Sequence, residues 1–184
     1  SLEAFHGQQD PAAVQAALTH LGHPDRHIRY AARLALESQP VASWHNDILT
    51  RQDPAAVING VIALARQGDK NLQPRLLKAL AGLGWSGPAT GNRLALLRAY
   101  SLTFIRMGAP DQAAGGVVLA QLDKAFPTGE SRLDRDLSQL LAYLNSPTVI
   151  DKTLALMKKP SPQVKQNLAA LLSRNRGYGN TISR

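Results

Sequence analysis

Three histidines stand close together near the start of the chain, His20, His23 and His27. Imidazoles grouped in this way can bind zinc or nickel, and His23 and His27 have i, i+4 spacing. However, His23 falls in the breaker Gly22-His23-Pro24, and His27 falls in the first turn of the helix that follows. Only Asp25 stands near as a fourth ligand. The residues therefore read as a solvated helix end, and no metal ligand is assigned.

Other reactive constellations are equally thin. There are no cysteines, so disulfides, thiolate metal sites and a Cys nucleophile are ruled out. The serines are scattered at turns, without a nucleophile elbow or the base and orienting acid that acyl transfer needs. Asp134 and Asp136 are two apart, which points them away from each other on a helix; capping is the expected role. The glycine-rich stretch GWSGPATGN (84–92) lacks the Gly-Lys-Ser/Thr of a phosphate loop and follows no strand. Trp85 within it is a candidate binding anchor, or else a cover for the gap between adjacent helices. No catalytic residue, cofactor or small-molecule substrate is assigned, and the chain is not expected to be an enzyme.

The basic residues carry more information. Twenty-one Lys and Arg against thirteen Asp and Glu leave a net charge of +8. That balance suits an anionic partner such as nucleic acid, and serves solubility equally well. Arg26, Arg29 and Arg33 share one predicted helix, and Arg93, Arg98 and Arg106 another. Arg132 and Arg135 fall on a third, with Lys165 and Arg174 on a fourth. Arg33, Arg98, Arg106 and Lys165 are the candidate binding residues.

The elements that position them are helical. Hydrophobic content is 44% but aromatic content only 5%, so a Leu/Ala core of closely packed helices is favoured over a sheet. Breakers divide the chain into segments at 11–21, 25–38, 41–50, 54–67, 71–83, 92–107, 111–124, 132–145, 147–158 and 162–174. DPAAV occurs at 10–14 and again at 53–57, each time with Asp as N-cap and Pro as the first helical residue. Asp111 stands in a similar place. Leu133, Leu137, Leu140, Leu141 and Leu144 form one apolar stripe. On the sixth segment Leu94, Leu96, Leu97, Tyr100, Leu102, Phe104 and Ile105 surround the axis, as on a helix buried on several sides. No stretch reaches the roughly 18 apolar residues of a membrane span, so no membrane insertion is expected.

The stretch HPDRHIRYAARLALE (23–37) resembles the HEAT-like (phycobilisome-lyase-type) repeat. Pro24 and Asp25 make the turn, Ile28 and Arg29 the aliphatic–basic pair, and Ala31, Ala32, Ala35 and Leu36 the small and apolar positions. Leu97-Arg98 and Val164-Lys165 are weaker echoes. The resemblance implies an all-α fold, an α-solenoid (α-α superhelix) of about five helical hairpins over one domain, residues 1–184. The hairpins fall at 11–38, 41–67, 71–107, 111–145 and 147–174, with the second helix of each lining the concave face. In this register the two DPAAV copies differ in phase, since the first starts an outer helix and the second an inner one. The repeat also implies that Arg29 is bridged to an acid of the next repeat such as Asp53, with Arg98 similarly engaged, leaving Arg33, Arg106 and Lys165 for a partner.

Stretches such as LLRAYSLTFIRMG, LDKAFP, DLSQLLAYLNSP and KTLALM resemble the HEAT-repeat segment of large bacterial multidomain proteins. There it lies between a membrane-bound-dehydrogenase-like propeller and a c-type cytochrome domain. The chain, ending in RGYGNTISR without a closing cap, is accordingly expected to be part of a longer, extracytoplasmic (periplasmic) protein. The haem motif Cys-x-x-Cys-His is absent, so no redox chemistry transfers. The leading expectation is a non-catalytic scaffold that binds a protein partner or neighbouring domains of its own chain. Nucleic-acid binding by the basic face stays open. The HEAT-like DNA glycosylase form of it is disfavoured, because Trp44 and Trp85 both lie off the inner helices. A chromophore-lyase role has no residue of its own to support it. Oligomeric state and partner identity are undetermined by the residues.

Overall fold

The structure, a computed structural model, describes residues 2–85 and 90–158. Contacts divide the chain into Ser1–Thr153 and Leu154–Arg184, and of the second unit only residues 154–158 are described. Among the described residues there are nine α-helices and no strand. They are α1 (Pro11–His20), α2 (Arg26–Glu37), α3 (His45–Leu49), α4 (Pro54–Gln67), α5 (Gln73–Gly82), α6 (Thr90–Met107), α7 (Gln112–Ala125), α8 (Ser131–Tyr143) and α9 (Val149–Met157). The expected helix over 162–174 lies outside the described residues.

Carboxylates start the helices. Asp10 accepts from the Ala12 N–H, Asp53 from the Ala56 N–H and Asp111 from the Ala114 N–H, at 2.8, 3.0 and 2.7 Å. Each satisfies an amide that the first helical turn leaves without a partner. Both DPAAV copies therefore do the same capping work. Asp25 caps α2 through the His27 N–H. Two expected helices begin late: 3-10 turns at Val41–Ser43 and Lys70–Leu72 precede α3 and α5. At the first break the Trp44 backbone leaves helical space (φ −143°), and its indole is fully buried with Nε1 donating to the Gln39 carbonyl.

Within Ser1–Thr153 successive helices pack as pairs, α1 on α2, α3 on α4, α5 on α6 and α7 on α8. The second members also form a row, α2 against α4, α4 against α6 and α6 against α8, and α3, α5 and α7 form another. This makes α4 and α6 the centre of the core. On α4, Ala56, Val57, Ile58, Val61, Ala63 and Leu64 are buried. Gly60 is required there: a Cβ at that position would fall 2.5–2.9 Å from three side-chain atoms of the buried Ile48. The small residues of the repeat-like stretch behave similarly, with Ala32, Ala35 and Leu36 fully buried on α2.

The leucine stripe of α8 is in the core, Leu133, Leu137, Leu140 and Leu141 being buried. The expectation for α6 needs a correction. Leu96, Leu97, Tyr100 and Phe104 are buried, but Ile105 is 76% exposed, so one side of the helix is open. Neighbours on α4, α5 and α8 cover the rest of its circumference.

Candidate functional site

The distribution of carboxylates decides where positive charge is left over. Asp10, Asp25, Asp53, Asp69 and Asp111 are held at helix starts by backbone amides. Asp134 anchors the loop before α8, accepting from the Thr128 and Gly129 amides and the Thr128 hydroxyl. It sits in the first turn of α8 rather than at the N-cap, and Asp136 pairs with exposed Arg135 at 3.1 Å. Asp123, on α7, accepts from the Ser146 and Thr148 hydroxyls at 2.7 Å each and from Lys152 Nζ at 3.2 Å. Six carboxylates thus satisfy backbone amides, and among the described residues most arginines form no ion pair.

Part of the surplus lies on the row α2–α4–α6–α8. Glu37, near the end of α2, meets Arg33 Nε at 3.3 Å and Arg66 Nε of α4 at 3.1 Å. Its side chain is 6% exposed and that of Arg33 16%, whereas Arg66 is 41% exposed. The Arg33–Glu37 approach is out of line for a hydrogen bond, and Arg33 Nε and Glu37 Oε1 are buried without one. Burial pushes the Glu37 carboxyl above its ordinary range, while Arg66, Arg33 and Arg106 pull it down. Burial likewise lowers the Arg33 pKa; Glu37 opposes this, and the charges of Arg66 and Arg98 add to it. Arginines on three helices thus act on one carboxylate, Arg33 and Arg66 in contact with it and Arg106 at longer range.

Apolar surface adjoins this charge. Tyr30 of α2 is 53% exposed and lies under the Arg33 guanidinium, whose carbon is 5.0 Å from the ring centre. Between α6 and α8 runs a shallow groove of about 190 Å³, lined by Ser101, Phe104, Ile105, Gln139, Leu140 and Tyr143. Its floor is the stacked pair Phe104 and Tyr143, 5.2 Å between ring centres. Arg106 follows Ile105 in sequence and is exposed, as is Arg98 about two helical turns earlier.

The expected roles of the arginines are rearranged. Arg29 is not bridged to Asp53: its Nη1 donates to the His23 and Pro24 carbonyls, tying down the turn before its own helix. Asp53 does reach the preceding hairpin, by packing. Its Oδ2 lies where a Cβ on Gly22 would come within 2.0 Å, so the turn at Gly22 admits no side chain. Arg98 has no carboxylate within 4.0 Å among the described residues and faces outward, while Arg33 is the arginine that is engaged. Asp25 and Ile28 keep their structural places, as cap and as a half-buried helix residue. Lys165 lies outside the described residues.

Trp85 is half-buried, with Arg93 at the start of α6 stacked 5.6 Å from its ring centre and donating from Nε to its carbonyl. The ring thus covers a helix start. The His20 and His23 rings stack at 6.2 Å. His20 Nδ1 donates to the Ala16 carbonyl and His23 Nδ1 accepts from the Asp25 amide. Among the described residues no three potential metal ligands come together, and no helix is long and apolar enough to cross a membrane. Glu37 was missed from the sequence, although its i, i+4 relation to Arg33 was available. Arg66 could not have been linked to it, because that contact depends on α2 and α4 being neighbours.

No protein-family model, no curated protein and no solved structure matches the chain.

Proposed function

We propose that the chain is a HEAT-like α-solenoid that works as a non-catalytic interaction module. In this reading α2, α4, α6 and α8 line its concave face and dock a protein partner or a neighbouring domain of the same polypeptide. One observation carries the proposal: exposed Arg66, Arg98 and Arg106 lie beside exposed Tyr30, Ile105 and Tyr143 on one row of helices. Arginine and tyrosine are the residues that most often anchor protein–protein contacts, because each brings apolar area together with a directional polar group. The partner expected from this chemistry is a segment with carboxylates for the arginines and an aromatic or aliphatic side chain for the α6–α8 groove.

Nucleic acid is the other reading of the same arginines, and salt separates the two. Contacts with phosphates release counterions, so affinity falls steeply between about 50 and 200 mM salt. The experiment is fluorescence anisotropy with a short DNA duplex and with a peptide rich in Glu and Phe, each at low and physiological salt. The expected result is duplex binding that vanishes at physiological salt, and peptide binding that persists and is lost in Arg98→Glu/Arg106→Glu. Duplex binding that survives physiological salt and is lost in that variant would overturn the scaffold reading.

A further inference from the structure

A second basic surface lies on the other row of helices, and nothing in the docking face accounts for it. The segment between α3 and α4 and the outward side of α5 enclose a pocket of about 740 Å³. Arg51 enters from the interhelix segment, and Arg75 and Lys78 enter from α5, where their i, i+3 spacing places them one above the other. Gln52 adds an amide, Thr50 lines the wall with its hydroxyl turned to the Asn46 carbonyl, and Leu49 and Leu83 supply apolar wall. No carboxylate lines the pocket, and none of the three cations has an ion-pair partner among the described residues. The remaining residues, 86–89 and 159–184, contain no Asp or Glu that could supply one.

Arg51 is the informative member. Its Nε is buried and has no hydrogen-bond partner. A buried guanidinium donor without an acceptor is costly, and native structures keep few of them. Arg75 donates from Nη2 to Asn46 Oδ1 at 2.8 Å, which fixes its guanidinium at the pocket wall with donors to spare. Lys78 is exposed and unconstrained, the state of a side chain free to close over a ligand. Two guanidiniums and an ammonium converging on one concavity match the oxygens of a phosphate, which accepts several charge-assisted hydrogen bonds at once.

We propose that this pocket binds a small phosphate ester carrying at least two negative charges. Its volume lies within the range of small-molecule sites and leaves room for an organic group beside the phosphate. No aromatic ring lines it, so the organic part is aliphatic or sugar-like rather than a nucleobase held by stacking. The site is distinct from the docking face, its cations coming from α5 and the α3–α4 segment rather than from α2, α4, α6 or α8.

The test uses the full chain and isothermal titration calorimetry at constant ionic strength, with pyrophosphate and a hexose phosphate as probes. Saturable binding of one of them with a dissociation constant below about 1 mM is expected. Losing one charge-assisted contact weakens binding roughly tenfold or more, so Lys78→Glu and Arg75→Gln are each expected to do so. Lys78 is exposed, so its variant keeps the fold, which a helical circular dichroism spectrum checks. Arg98→Glu/Arg106→Glu is expected to bind as the wild type does. Heats matched by equal ionic strength of chloride would overturn the proposal. So would loss of binding in the Arg98/Arg106 variant with none in the Lys78 and Arg75 variants. Failure of the peptide and duplex experiments leaves this one standing, and the reverse holds as well.

Discussion

Two carboxylates in this molecule each meet basic side chains, and they are solved in opposite ways. Asp123 sits where α7 meets the turn before α9, partly exposed, with two hydroxyls and one ammonium donating to it. Glu37 is buried between α2 and α4, approached by Arg33 and Arg66 with Arg106 acting at longer range, and one of its oxygens lacks a hydrogen bond. The first site is saturated and neutral in effect. The second is under-supplied with acceptors and over-supplied with cations. Saturation makes a joint; surplus makes a surface that can bind something else. The difference follows from which partner is in excess, and at Asp123 every donor comes from the α8–α9 connection or from α9 itself, the segment that it is fastening down.

The contrast breaks most visibly at Glu37. Its removal leaves Arg33 buried beside Arg66 and within reach of the charge on Arg98, with no anion among them. Taking one partner from a buried pair is strongly destabilising because the other charge remains desolvated. Since Arg66 is well exposed, the effect is expected at about 2 kcal/mol rather than the full range. Urea unfolding of Glu37→Ala against the wild type measures it, and adding Arg33→Met should return most of the loss. If the double variant is no better than the single, the cost belongs to lost packing and the excess of cations is harmless.

Asp123→Ala is expected to cost less, about 1 kcal/mol, because its partners can turn to water once freed. The loss should be local. Amide exchange is expected to speed up across α9 and its preceding turn while α2 and α4 stay protected. An equal loosening of both regions would show that the joint is coupled to the central core.

Legibility in the sequence follows the same division. Helix starts were readable, because an N-cap is a local event: Asp10, Asp53 and Asp111 sit beside the amides that they accept from. The pairing of successive helices was readable too, from short breakers alone. What escaped were contacts that need the fold to exist first. Nothing near Asp123 in sequence announces Ser146 and Thr148, although Ser-Pro-Thr before an apolar run is a cap signal. Arg29 was misassigned because its repeat pattern suggested a partner across the hairpin, while the carbonyls of its own turn were nearer. Ile105 was counted as core because a helix apolar on most sides gives no sign of which side stays open. The Arg51–Arg75–Lys78 pocket combines an interhelix segment with a helix 24 residues further on, and only the α3–α5 neighbour relation joins them.

The finest separation of the two carboxylates is the sign of their pH dependence. The Thr148 hydrogen bond is the largest influence on Asp123; burial opposes it, and Ser146 and Lys152 add to it, so the pKa lies below its ordinary 3.8. As pH falls, the unfolded chain takes up that proton first. The stability due to Asp123 is therefore complete above about pH 4 and lost as pH drops through the lower folded value. At Glu37 burial dominates and raises the pKa above 4.5, with Arg66 and Arg33 opposing it. Between 4.5 and that raised value the folded chain holds a proton that the unfolded chain has released, so stability declines as pH rises through this window. Gln at position 37 keeps the shape without the charge. The wild type is thus expected to lose ground against Glu37→Gln as pH rises from about 4.5 through the raised value, and to lose its advantage over Asp123→Asn below about pH 4. Urea midpoints of the three proteins across that range decide it. A wild type that gains on Glu37→Gln with rising pH would mean that the surrounding arginines outweigh burial, and Glu37 would then be as much a joint as Asp123.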